Sequence, residues 1–158
     1  MREINNSKRR AALNMMANGF NAQGSTAVIV EKGADDALCD ILSVVHEEIK
    51  TKNGDAARGR YYFPEYDFAA DNVQYLTCAI ELSGPLSEKE AEKANKVCAV
   101  VNPELPCGAY MVYDGVGLVY NLSVPISESL DEGELFEQVN ITIGNAIAMA
   151  GAYAERFI

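Results

Sequence analysis

The stretch NVQYLTCAIELS, residues 72–83, decides the fold. Leu76, Cys78, Ile80 and Leu82 alternate with Tyr75, Thr77, Ala79 and Glu81. A period of two marks a strand whose sheet buries one face and leaves the other to water or to a partner. Gly84-Pro85 then breaks the pattern, and Ser87 followed by Glu90 spells a capping box. The helix it opens runs over residues 87–101, with Ala91, Ala94, Val97, Cys98 and Val101 as its apolar stripe. Asn102-Pro103 closes it, because proline disfavours helical geometry in the residue before it.

Two further strands follow, CGAYMVYD at residues 107–114 and GLVYNLSVP at 117–125. Asp114-Gly115 between them is a hairpin-turn signal. Leu118, Tyr120, Leu122 and Val124 share one face of the second strand, and Val119, Asn121 and Ser123 the other. A closing helix begins near Ser129 or Asp131, where Asp131, Glu132 and Glu134 suit the positive end of the helix dipole. Its apolar spacing continues to Phe157, over two dozen residues. Residues 142–154 carry almost no charge, and Gly144, Ala148 and Gly151 form a small-residue surface beside the main stripe. That surface belongs either to a deeply buried helix or to a homodimer interface.

Upstream the pattern is weaker. Asn5, Asn6 or Ser7 caps a first helix that Gly19 stops. Lys8, Arg9 and Arg10 on it form the one basic cluster, read as a solvated face. Residues 25–31 form a strand. Asp35 and Asp36 open a second helix that carries Leu38, Ile41, Leu42, Val45 and Ile49 and ends near Lys52. Residues 53–59 are a loop, and RYYF at 60–63 is a strand ended by Pro64. The chain therefore reads as one α+β domain over 1–158: a poorly patterned part to residue 70, then a β-α-β-β-α unit over 72–158. The expected order is α-β-(α)-β-β-α-β-β-α, with an antiparallel sheet packed against helices.

Composition narrows the function. Hydrophobic residues make up 49% of the 158, which is a globular content. A net charge of -10 repels nucleic acid and anionic membrane. No export segment or spanning apolar run is read. Cys39, Cys78, Cys98 and Cys107 lack metal-ligand spacing and read as free thiols in a cytoplasmic protein. His46 is the sole histidine, placed on the second helix without a nucleophile motif beside it. Gly115-Val116-Gly117 joins two strands and so is a tight turn, not a phosphate loop. No catalytic residue, metal site or cofactor is expected. The eight tyrosines carry more information, since tyrosine supplies apolar area together with one hydroxyl. Tyr75, Tyr110, Val112, Val119 and Asn121 are the candidate contacts for a protein or peptide client, with sheet-surface packing as the bland alternative. A small-molecule sensor with a pocket between sheet and helix is the alternative function.

The order helix to Asn102-Pro103, then Gly108-Ala109-Tyr110-Met111-Val112, then Gly117-Leu118-Val119-Tyr120, then a closing helix, resembles the YbjN-like family. The likeness covers about the last 85 residues. It implies a fold like that of type III secretion chaperones and a non-enzymatic, protein-binding regulator, often dimeric. The family order is helix, three strands, helix, two strands, helix. The 35–52 helix enters it as an insertion after the first strand or, with 1–33 as an addition, as the first family helix.

Overall fold

The structure, a computed structural model, describes residues 2–51 and 53–157. Helix α1 (Arg2–Ala22) leads into strands β1 (Thr26–Val30), β2 (Ile41–Lys50), β3 (Ala56–Tyr62) and β4 (Val73–Glu81). Helix α2 (Glu88–Val101), the hairpin β5 (Ala109–Tyr113) and β6 (Gly117–Ser127), and helix α3 (Glu132–Ala152) complete the chain. The strands form one antiparallel sheet in the order β1-β2-β3-β4-β6-β5. The α+β class with a helix-backed antiparallel sheet is as expected.

The C-terminal unit follows its local signals. Ser87 accepts from the Glu90 N–H while its own N–H donates to the Glu90 carboxylate, so both arms of the capping box form. Asp131 and Glu134 repeat the device at the start of α3. Asp114-Gly115 lies in the turn that joins β5 to β6, and Gly115 takes φ 73°. Helix α3 is shorter than its apolar spacing suggests. It has 21 residues and breaks at Tyr153 into a separate 3-10 turn, Ala154–Phe157.

The N-terminal part corrects the sequence reading. The segment expected to be the second helix is β2, so four strands separate α1 from α2. Its helical spacing is matched by an alternation, Leu42, Val44 and His46, whose side chains are all buried. β-Branched Ile41, Val44, Val45 and Ile49 favour the strand. Leu38, the first member of the helical stripe, is 89% exposed and lies outside β2. The expected loop at 53–59 instead holds the start of β3, which supplies β2 with its partner. Helix α1 runs past Gly19, and the chain reverses at Gly24 with φ 88°. Asn5, Asn6 and Ser7 are therefore interior to α1, not caps.

All three helices lie on one side of the sheet. Leu42, Val44, Leu76, Cys78, Ile80 and Tyr120 point into the core with Leu13 of α1, Val101 of α2 and Val139 and Ile143 of α3. Helices α1 and α3 pack on each other and on the strands, and α2 packs against the hairpin. Tyr110 and Tyr120 pair edge to face within this core, with ring centroids 5.5 Å apart.

Candidate protein-interaction surface

Because strand side chains alternate, the helix-free face follows from the register. Its first row is Thr26, Val45, Arg58, Glu81, Val119 and Met111. The next is Val28, Ser43, Arg60, Ala79, Asn121 and Ala109, and the third is Val30, Ile41, Tyr62, Thr77 and Ser123. Tyr75 and Pro125 extend it toward the loop that joins β3 to β4.

Two apolar lobes stand on this face. At one end the Tyr66 and Phe68 rings stack with centroids 4.8 Å apart, and Tyr75 meets Tyr66 edge-on at 5.5 Å. Phe68 is 76% exposed there. At the other end Met111 and Tyr113 are exposed beside Val119. The Tyr113 hydroxyl donates to the Met111 sulfur at 3.4 Å and accepts from the Asn121 amide at 3.1 Å. Arg60 on β3 pairs with Glu81 at 3.1 Å to one side of the line that joins the lobes, and Arg58 is exposed next to it.

The five candidate client contacts divide between the two faces. Tyr75, Val119 and Asn121 belong to the helix-free face, with Val119 packed down to 4% exposure. Tyr110 points the other way. Its hydroxyl reaches the carbonyls of Met149 at 2.6 Å and Ala150 at 2.9 Å on α3. Val112 faces the core with it, because Val112 registers with Leu118 and Tyr110 with Tyr120. A turn of known length fixes that register, so the inward aim of Tyr110 follows from Tyr120 sharing a face with Leu118. Met111 and Tyr113 are the residues that the sequence reading leaves out. On α3, Gly144, Ala148 and Gly151 are exposed, and Ile141 beside them is 57% exposed.

One device, used twice, guards part of each sheet edge. At the edge strand β1 the Asn21 side chain accepts from the Ala27 N–H at 3.0 Å and donates to the Ala27 carbonyl at 2.9 Å. At the opposite edge, on β5, the Asn102 side chain accepts from the Tyr110 N–H at 2.8 Å and donates to its carbonyl at 2.9 Å. Each asparagine sits at the end of the helix before its strand and occupies the place of a neighbouring backbone. Unpaired edge groups template the addition of another chain, and these amides take two of them at each edge.

His46 lies on β2, not on a helix, and is buried. Its Nε2 is 2.6 Å from the Tyr61 hydroxyl, and Phe20 meets its ring edge-on. Nδ1 comes within 3.3 Å of the Glu48 carboxylate but is not aligned as a hydrogen bond. Burial lowers the His46 pKa, against the attraction of Glu48, and burial raises that of Tyr61 well above the phenol range. Nε2 and the Tyr61 hydroxyl thus share a hydrogen bond inside the core, its donor set by the imidazole tautomer. Gly59 beneath them leaves no room for a methyl group, since an added Cβ would lie 2.6 Å from Nε2.

Among the described residues no three His, Cys, Asp or Glu side chains gather as a metal site. Burial pushes the Cys78 thiol up to about 12. A cavity of about 60 Å³ lies between β4, α2 and the C-terminal 3-10 turn, lined by Leu82, Leu86, Val97 and Phe157. Ligand pockets are several times larger; the groove over α2 lined by Leu86, Ala91, Asn95 and Asp114 has about 700 Å³ but is open to solvent. No described helix is long and apolar enough to cross a membrane. No family model and no curated protein matches the chain.

Proposed function

We propose that this chain is a non-enzymatic protein-binding domain, a chaperone, adaptor or regulator, that holds a polypeptide partner against the helix-free face of its sheet. The observation that carries the proposal is the pair of exposed apolar lobes on that face, Tyr66-Phe68-Tyr75 and Met111-Tyr113. Exposed apolar patches of this kind mark interaction sites. The asparagine clamps at both edges direct contact away from strand addition and onto the face. The space enclosed between sheet and α2 is small and the larger groove over α2 is open to solvent, which favours a surface over the enclosed pocket of a small-molecule sensor. The resemblance to the YbjN-like family supports the same reading. The exposed strip of α3 around Ile141, Gly144, Ala148 and Gly151 is proposed as a homodimer contact, and the free thiols suit a cytoplasmic setting.

A photo-crosslinker placed at Met111 or Tyr66 in cells tests the face directly. Covalent adducts to other polypeptides are expected at both positions, and none from the same group at Asn14 of α1. An absence of adducts at both face positions, or equal labelling from Asn14, removes the proposal. Light scattering that gives a monomer mass at high concentration removes the dimer contact alone.

A further inference from the structure

Along its paired strands the helix-free face carries charges that differ from those of the chain as a whole, while the exposed acids Glu65, Asp67 and Asp71 adjoin the Tyr66-Phe68 lobe in the chain and Asp114 adjoins Tyr113. Over its three paired rows the charged side chains are Arg58, Arg60 and Glu81. Two cations thus face one carboxylate, in a chain with a formal net charge of -10. Glu81 is committed to Arg60 at 3.1 Å, and Arg60 is still 53% exposed. Among the described residues Arg58 has no ion-pair partner. Glu47 and Lys50 pair with each other across the bulge of β2.

We infer that the segment this face accepts is acidic and amphipathic: large apolar side chains on the two lobes, and carboxylates over Arg58 and Arg60. The inference rests on the protein-binding reading above and adds the chemistry of the partner. Tyr75 and Met111 are six positions apart along the strands and two strands apart across them. At about 3.4 Å per residue and 4.8 Å per strand this separates the lobes by about 22 Å. An extended segment of about seven residues covers that distance. The two arginines lie on one flank of the line between the lobes, on β3, so the acidic side chains of the segment project to one side. A guanidinium binds carboxylate through a planar fork of donors, which fixes orientation as well as charge. Asp67 and Asp71 beside one lobe and Asp114 beside the other disfavour carboxylates there, and the arginines therefore set where the acidic side chains of the segment lie.

The test is selection from a random library of peptides of about twelve residues, long enough to span both lobes, on the full-length protein. Enrichment of sequences that combine Asp or Glu with aromatic or long aliphatic residues is expected. Their affinity should fall about tenfold in Arg58→Glu/Arg60→Glu, and should weaken as salt is raised. Arg58→Gln leaves the Arg60–Glu81 pair in place and should give a smaller loss in the same direction. Lobe-dependent binders that are neutral or basic, or that bind both arginine variants unchanged, overturn the inference and leave the protein-binding reading standing. No enrichment, or binders indifferent to Phe68→Ser/Met111→Ser, overturns both.

Discussion

The two faces of the sheet are made by the same strands, one residue out of step, and they differ in what covers them. On the helix side Leu42, Val44, Leu76, Cys78, Ile80 and Tyr120 are fully shielded by three helices. On the other side Val28 is 55% exposed, Met111 45% and Tyr113 36%. Both faces carry apolar groups, but only one has a second layer. Hydrophobic stabilisation scales with apolar area removed from water, so it comes mainly from the helix side. The apolar area on the open side has that gain in reserve for whatever covers it. A sheet with stability on one face and unused apolar area on the other is equipped to bind without rearranging its core.

The comparison is broken most severely from the helix side. Ile80 is fully buried near the C-terminal end of β4, and Ile80→Ala should cost about 3 kcal/mol, since the lost side chain leaves a cavity that packed neighbours close only in part. Urea unfolding followed by circular dichroism reads this as a lower midpoint with an unchanged slope. A loss below about 1 kcal/mol would mean that Ile80 does not lie between sheet and helix.

The edges come next. Asn102→Ala deprives the Tyr110 N–H and carbonyl of their partners and should destabilise by about 1–2 kcal/mol. It should also let β5 accept a strand from another molecule, seen as a concentration-dependent rise in mass by light scattering. Asn21→Ala should do the same at β1. If both variants stay monodisperse, or only as associated as the parent, the asparagines are not what guards the edges.

These clamps also show where sequence reasoning stops. The capping box at Ser87 and the turn at Asp114-Gly115 are legible because each is complete within a few residues, whereas at Asp131 the acids mark the helix start and the box itself emerges from the structure. The burial of Leu76, Cys78 and Ile80 was legible because alternation along one strand announces it. Asn102 could be read only as a helix stop. Its second role needs Tyr110, eight residues on and placed by the hairpin. In β2 the apolar residues satisfy helical and alternating spacing together, and the choice between them is made by β1 and β3 on either side. Of the proposed surface, Tyr75, Val119 and Asn121 were reachable from alternation. That Tyr110 and Val112 face the helices is visible only when the hairpin register is carried from β6 across to β5.

Acid should also act through the helix side. His46 is held neutral by burial among Tyr61, Phe20 and Glu48, so its folded pKa lies below its unfolded value near 6.5. The unfolded chain then binds the proton first. The contribution of His46 is fully present above about pH 6.5 and is lost as pH falls from there through the folded pKa. Urea midpoints between about pH 8 and pH 5 should decline toward acid, and His46→Gln should flatten that part of the decline. An unchanged pH profile in His46→Gln would show that Glu48 compensates the buried charge in full.

The smallest effect on stability is expected from the open face, and it is the sharpest test of the division. Met111 is 45% exposed with no layer above it, so Met111→Ser removes little buried area and should move the unfolding free energy by less than about 0.5 kcal/mol. The same substitution removes most of the apolar surface of its lobe, leaving Tyr113 without the sulfur that its hydroxyl contacts. Binding of any selected peptide should therefore weaken severalfold while the urea midpoint stays in place. A large drop in stability would mean that Met111 is packed in the working protein by something that already covers this face, such as a second copy of the chain. Dilution separates the two cases, since a midpoint set by a second copy falls with protein concentration and a midpoint set within one chain does not.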